Sequence, residues 1–289
     1  MAKLNAMTVD VEEYFQVEAF ANDVSIDTWA SYESRLHFQM ESLLTVFAEK
    51  NVKATFFTLG WIAQKHPKII AKIVEEGHEL ASHGFMHQHI SKQDKASFSD
   101  DIVRAKKTLE DISGVAVKGY RAPCFSISAD NSWAHDVIAE AGYIYSSSSY
   151  PIKHDLYGVP NAPKSPYWLA NGLLEVPVTT CTWRNKVFPA GGGGYFRLLP
   201  FVLFDMLFKN SDHQSVANFY THPWEFDPDQ PRIASNLKSN FRHRVNQSSA
   251  LQKLKKLCER YEWTTMQDAY LGAEHPRYGK WESVAKGDY

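Results

Sequence analysis

From Leu4 to Asp10 the chain is a short apolar run that breaks into carboxylates at Asp10, Glu12 and Glu13, the pattern of a buried strand ending in a polar loop. Leu36, Met40, Leu43, Leu44 and Phe47 then recur at helical spacing, Asn51 closes that helix, and Lys53 to Leu59 (KATFFTL) returns to strand composition. Pro67 opens a second helix through Glu76 with Gly77 as its stop, and Glu79 to Ser82 is a short strand running into SHGFMHQH. The alternation continues with a helix at Asp94 to Ser113, a strand at Val117 to Arg121, a helix at Ala129 to Ala141 and a strand at Tyr143 to Ser147. Residues 150 to 172, rich in Pro and Gly, predict a long loop. Beyond it the pattern gives a strand at Leu173 to Val178, a helix near Leu198 to Lys209, a strand at Val216 to Thr221 and a helix near Ser248 to Tyr261.

Strands alternating with helices imply parallel β/α units, hence an α/β fold built as a barrel or a doubly wound sheet. Every polar cluster follows a strand, where β/α barrels build their sites. The 289 residues allow one large domain or two smaller ones, but no repeat, linker or clear boundary divides them. A net charge of −2 offers no cationic excess for a phosphate backbone, so nucleic acid is not an expected partner. Cys124, Cys181 and Cys258 are too few and too scattered for a disulfide framework, which fits a reducing compartment. The opening MAKLNAMTVDVEEYF has no apolar core of a leader, and the apolar stretch from Leu198 to Phe208 is broken by Pro200 and Asp205. A cytoplasmic protein without an integral membrane segment is expected.

Side chains two apart in a strand share a face, so Asp10 and Glu12 converge, and Glu13 points away unless the strand has already broken. His83 and His87 form H-x-x-x-H, a spacing that places two imidazoles on one side of a helical turn, with His89 off the shared face. Two histidines and one carboxylate leave a coordination position open on a divalent ion. Arg121 to Cys124 reads R-A-P-C, with Pro123 stiffening a loop whose next N–H can point into a site. His222, within FYTHPWEF, follows another expected strand. Gly191 to Gly194 lacks the Lys-Ser/Thr of a phosphate loop and predicts a flexible turn or lid. Tyr195, Phe196, Trp183 and Trp224 are candidates for stacking on sugar faces, or for the core.

The ordered set TVDVEE, SHGFMH, YRAP and YTHPWE resembles the polysaccharide deacetylases of carbohydrate esterase family four, the NodB-homology domain. With DVE-x-YF, GGGYFRLLP and THPWE, it looks closest to a subgroup from exopolysaccharide and exosortase loci. The resemblance implies a distorted (β/α)7-type barrel with its site at the C-terminal ends of the strands, one domain over residues 1–289 with an extension from about 227 packed on it. It also implies a metal-dependent hydrolase that removes the acetyl group from an N-acetylated amino sugar of a poly- or oligosaccharide or glycan precursor. By position, Asp10 matches the family's general base, Arg121 the arginine that positions it, Cys124 the residue whose backbone N–H binds the oxyanion, and His222 the general acid. Glu12, His83 and His87 match the ligands of one divalent ion, zinc first, with cobalt, nickel, manganese or iron suited to the same donors.

The sequence departs from that pattern where Val11 splits the usual adjacent carboxylates and where Ser146, within SSSS, stands in place of an acidic residue that would partner Arg121. Two other functions are weighed beside the first: a C–N hydrolase acting on a small non-sugar amide or ureide, and a barrel that binds saccharide without turnover.

Overall fold

The structure, a computed structural model, describes residues 4–154, 158–213 and 216–288, so 155–157 of the expected long loop lie outside the described residues. β1 (Leu4–Val11) is followed by α1 (Leu36–Glu49), β2 (Thr55–Thr58), α2 (Gly60–Lys65), α3 (Pro67–Glu75) and β3 (Glu79–Ser82). Next come α4 (Lys95–Ser113), β4 (Gly119–Tyr120), α5 (Ala134–Glu140) and β5 (Tyr145–Ser146). Asp94 caps α4 by accepting the Ser97 amide, and Gly114 ends it in the left-handed region at φ 71°. The middle of the chain holds β6 (Tyr167–Trp168), β7 (Leu174–Glu175), β8 (Thr180–Trp183), β9 (Lys186–Pro189), α6 (Gly193–Leu198), α7 (Phe201–Lys209) and β10 (Asn218–Thr221). α8 (Leu237–Arg244), α9 (Gln247–Arg260), β11 (Glu262–Thr264), α10 (Met266–Tyr270) and α11 (Trp281–Val284) complete it.

Among the described residues nine strands form one sheet in the order β10-β1-β2-β3-β4-β5-β7-β6, with β11 paired to the start of β1, while β8 and β9 form a separate hairpin. Every pairing from β10 through to β7 is parallel, and only β6 runs against its neighbour β7. The result is a mixed α/β fold with a curled half-barrel sheet, the class that the strand–helix alternation predicts. One apolar layer packs β1 and β2 against α1, α7 and α9 through Leu43, Phe47, Phe204 and Leu254. A second packs α4 and α5 through Phe98, Ile102, Leu109 and Ile138. Each such fully buried side chain contributes on the order of 1.5–3 kcal/mol. On the opposite face of β1 from Met7, Val9 and Val11 stand Thr8 and Asp10, buried and polar.

The sequence pattern missed features where backbone chemistry overrides periodicity. The helix expected at Leu198 to Lys209 is two, because Pro200 has no N–H to donate and Leu199 before it takes extended backbone (φ −76°, ψ 145°). The helix expected from Ala129 begins only at Ala134, and the expected long loop contains β6. The β8–β9 hairpin turns on Arg184 and Asn185, both left-handed (φ 48° and 62°), without the Asn-Gly signature that marks such turns.

Gly191 to Gly194 is not a flexible lid. Gly191 accepts the Tyr220 amide at 2.7 Å, and Gly192 lies bridged to Tyr220 of β10. At φ 130°, Gly192 has no room for a side chain: a Cβ would fall 2.0 Å from the Tyr220 carbonyl oxygen. Glycine is required because two backbones touch there.

The parallel register sets where the site forms. Val9 pairs with Thr221, Val11 with Thr58, Thr58 with Ser82, and Ser82 with Tyr120. The residues just past those positions therefore emerge at one level and at one end of the sheet, and they include Glu12, His83, Arg121 and His222.

Gly192→Ala should lose roughly 3 kcal/mol or more of unfolding free energy through strain and backbone overlap, read by urea denaturation. Gly194→Ala, whose Cβ would meet nothing within 4 Å, should leave stability unchanged or raise it by up to about 1 kcal/mol. Equal losses in both would contradict the close backbone approach.

Candidate metal centre and active site

β1 delivers Asp10 and, one residue past its end, Glu12 to the same face, and both side chains are almost wholly buried. Glu13 turns the other way: its carboxylate accepts from the Ser34 hydroxyl and from the Arg35 amide at 3.3 Å. The D-x-E-E run thus separates into two carboxylates on the cavity side, Asp10 and Glu12, and one behind them, Glu13, as strand alternation predicts.

His83 continues β3, its amide bonded to the Thr58 carbonyl at 3.0 Å. The expected helical turn between His83 and His87 does not form. Its carbonyls at Gly84 and Phe85 accept the Gly60 and Trp61 amides that open α2, and its amides at Phe85 and Met86 donate to the Asp101 carboxylate at 2.7 and 3.1 Å. His87 sits in the left-handed region at φ 52°, and this loop brings the two imidazoles together with ring centroids 5.2 Å apart. His89 caps a neighbouring turn, accepting the Ser91 amide.

Glu12, His83 and His87 each offer one donor atom, all within 4.8 Å of one another. His83 Nδ1 donates to the Arg121 carbonyl at 2.8 Å, which leaves Nε2 with its lone pair, and burial pushes this imidazole down to about 4, keeping it neutral. Glu12 Oε2 lies 2.6 Å from His87 Nε2 yet has no hydrogen-bond donor among the described residues. A buried carboxylate oxygen facing two imidazoles without a bonded hydrogen fits a set of ligands converging on one cation. Burial alone would raise the Glu12 carboxyl, but His87, His222 and His83 hold it down to about 2. Its other oxygen accepts from Trp224 Nε1 at 3.0 Å.

Arg121 is fully buried and nearly saturated. Nη1 donates to Asp10 Oδ1 at 2.6 Å and to the Thr8 hydroxyl at 2.8 Å, Nε to the Ser147 carbonyl at 3.2 Å, and Nη2 to the Ser147 hydroxyl at 3.1 Å. Its guanidinium also lies over the Phe57 ring, 4.0 Å from the centroid. The carboxylate expected beside it at position 146 is replaced by hydroxyls: Ser146 donates to Ser148, whose oxygen accepts the Ala122 amide at 2.9 Å. Behind them Glu175 of β7 accepts both the Ser148 and Ser149 amides and pairs with His135 at 3.0 Å. Although burial raises the Glu175 carboxyl, His135 and the serine hydroxyls bring it down to about 2.

Cys124 follows Pro123 at φ 56° and lines the cavity, where burial raises its thiol well above the usual range. A thiol so held is no nucleophile. His222 Nδ1 meets Glu225 Oε1 at 2.6 Å, and Arg197 fixes the other Glu225 oxygen at 2.8 Å. His222 Nε2 is left facing Asp10 Oδ2 at 3.9 Å and Glu12 Oε1 at 3.7 Å. Burial disfavours its cation, yet Glu12, Glu225 and Asp10 push it up to about 9. Asp10, Glu12, His83, His87, Cys124 and His222 all line one cavity of about 390 Å³.

Of the aromatic candidates, Tyr195 lines that cavity and Phe196 belongs to the core. Trp224 also lines the cavity, and its ring stacks with those of His222 and His243 at centroid distances of 5.0 and 4.4 Å. Trp183 stands exposed on the β8–β9 hairpin. Thr8, Ser147 and Glu225 also belong to the site, beyond the residues that the motifs name. Alternation from Asp10 points to Thr8, and the H-P-W-E spacing, a capping box in which Glu225 returns to the His222 amide, points to Glu225.

Residues 31–145 match the family described as Polysaccharide deacetylase, and residues 147–271 match a domain of unknown function, DUF3473. The first span contains His83, His87, Arg121 and Cys124, and the second contains His222. Over 81 residues the chain is 35% identical to the peptidoglycan-N-acetylglucosamine deacetylase of Bacillus cereus, 28% of this chain and 30% of that protein. Over 102 residues it is 28% identical to a chitooligosaccharide deacetylase of Bradyrhizobium sp., 35% of this chain and 44% of that one. The chain thus spans less than half the length of these two curated relatives. A Mycobacterium smegmatis protein described as a candidate polysaccharide deacetylase shares the fold, with a TM-score of 0.57 at 19% identity over 93% of this chain and 89% of that one. The family match and the two relatives support a polysaccharide deacetylase domain in this chain.

Burial pushes the Glu13 carboxyl up to about 7 from an ordinary 4.5. Its folded value lies above its unfolded one, so the associated stability is fully present below pH 4.5 and is lost as pH rises through 7. Glu13→Gln, neutral throughout, should therefore gain on the wild type by roughly 3 kcal/mol between pH 4.5 and pH 8 in urea unfolding. A difference independent of pH would mean that Glu13 is ionised in the folded state throughout.

Proposed function

We propose that the protein is a metal-dependent N-deacetylase that releases acetate from an N-acetylated amino sugar in a saccharide. The observation carrying this reading is the convergence of a salt-bridged carboxylate, Asp10, a three-donor cation site and a doubly anchored imidazole, His222, on one cavity. The family match and the deacetylase relatives support the sugar amide as the substrate class. We read residues 1–289 as one barrel domain with the stretch from about 227 packed on it, and the chain as a member of the exopolysaccharide-locus subgroup.

Glu12, His83 and His87 would hold the ion, with zinc the best match to one carboxylate and two imidazoles. When bound, a divalent ion polarises the acetamide carbonyl and lowers the pKa of water toward neutrality. Asp10 takes the proton of the attacking water, and Arg121 fixes the carboxylate that does so through its 2.6 Å bond to Oδ1. The Cys124 backbone N–H, beside the cavity, would donate to the oxygen on which negative charge develops. His222, protonated at neutral pH, delivers its Nε2 proton to the departing amine, while Glu225 keeps hold of Nδ1.

Elemental analysis of the purified protein should find near one divalent ion per chain, lost in His83→Ala and in Glu12→Ala together with acetate release from N-acetylated oligosaccharides. Asp10→Asn should keep the ion and lose turnover by about 10²–10⁴-fold. Retained metal with no acetate from any N-acetylated saccharide, but turnover of a small amide or ureide, would favour the other hydrolase. Neither metal nor turnover in the folded wild type would favour a saccharide-binding barrel.

A further inference from the structure

The acceptor of the Trp224 indole differs in kind from those of two other buried indoles. Trp263 Nε1 donates to the Leu257 carbonyl at 3.3 Å and Trp281 Nε1 to the Ser128 carbonyl at 3.0 Å, neutral main-chain partners that satisfy a buried N–H. Trp224 Nε1 donates instead to a buried carboxylate, Glu12, at 3.0 Å from Oε1. The two oxygens of Glu12 are therefore unlike. Oε1 is held by the indole, whereas Oε2 lies 2.6 Å from His87 Nε2 and accepts from no donor among the described residues.

An indole suits this task. It is neutral and donates without accepting, so it can hold one oxygen of a ligand carboxylate without adding positive charge beside a cation or competing to bind it. The side chain is itself fixed by its surroundings. The Trp224 carbonyl accepts from Gln230 Nε2 at 3.0 Å and from Gln247 Nε2 of α9 at 3.2 Å. Its ring stacks with His222 and His243 at interplanar angles of 21° and 18°, and only 5% of the residue is exposed. An indole held this way loses little freedom when it bonds to Glu12. His222 Nε2, at 3.7 Å from the same Oε1, stays outside hydrogen-bond reach of the carboxylate.

We propose that Trp224 is a positioning residue for the cation site: its N–H fixes the Glu12 carboxylate so that Oε2 is presented on the side of His83 and His87. This role rests on the reading of Glu12, His83 and His87 as cation ligands given above. A hydrogen-bonded ligand carboxylate binds its ion more tightly because the donor orients it before the ion arrives.

Trp224→Phe keeps an aromatic ring and removes the N–H. In competition with a chromophoric chelator, the purified full-length variant should bind zinc about 10–100-fold more weakly than the wild type while retaining its far-ultraviolet circular dichroism. Leu109→Ala, which truncates a core side chain of α4, lowers stability without touching the site and should leave zinc affinity unchanged. Unchanged affinity in Trp224→Phe overturns the proposal, as does an equal loss in Leu109→Ala, which would tie affinity to stability alone. A second measurement needs no substitution at Trp224. Of the eight tryptophan indole N–H signals in the nitrogen-15 spectrum, one should shift when zinc is added to the wild type, and the same signal should shift in zinc-free Glu12→Ala. Zinc binding that moves no indole signal overturns the proposal. A folded wild type that binds no zinc overturns both this role and the cation site itself. Affinity is read without turnover, so zinc binding without acetate release counts only against the deacetylase reading.

Discussion

A guanidinium with no exposed surface can persist inside a sheet only if nearly every N–H finds an acceptor, and Arg121 imposes that demand on the whole interior. Thr8 and Asp10 meet it from β1, Ser147 from the loop after β5, and Phe57 lies flat beneath the charge. Meanwhile the Arg121 carbonyl fixes the His83 ring and so decides which nitrogen is left for a cation. One residue therefore couples the two halves of the site: its side chain orients the carboxylate at Asp10 and its main chain orients a histidine. Removing it would strand buried polar groups on three elements at once.

The serines at 146–149 take on meaning in this setting. A carboxylate at 146 would add a second negative charge in a region where Glu175 is already anionic and buried. The chain instead moves its acid to β7 and lets main-chain amides and hydroxyls span the gap to Arg121. The same economy recurs on the other side of the cavity. Arg197 and His222 share the two oxygens of Glu225, and the indole of Trp224 bridges from this group to Glu12.

Much of this was legible in the sequence because it follows from strand geometry. Alternation separates Glu12 from Glu13, and polar residues just past strand ends gather at one edge of a parallel sheet. What was illegible depended on groups distant in the chain. The H-x-x-x-H spacing suggested a helical turn, but Asp101 and the start of α2 claim the backbone groups that such a turn would need. Trp224 was open to a sugar contact or to the core, and the ring of His243 that stacks on it comes from a helix with no strong periodic signal. The glycine run looked mobile because nothing local revealed that β10 lies against it. Periodicity reports which face is buried and says little about what buries it.

The pairing of β1 has a consequence for how the chain is made. Ala6 is partnered by Asn218 on β10 and by Thr264 on β11, and the Thr8 hydroxyl donates to the Phe219 carbonyl. A ribosome delivering residues in order presents β1 early and its neighbours β10 and β11 more than 200 residues later. At roughly 5–20 residues per second, the edge of β1 away from β2 waits on the order of 10 seconds or longer for its partners. The nascent chain thus carries one unpaired strand edge, the kind that invites pairing with another chain, until the last third is synthesised.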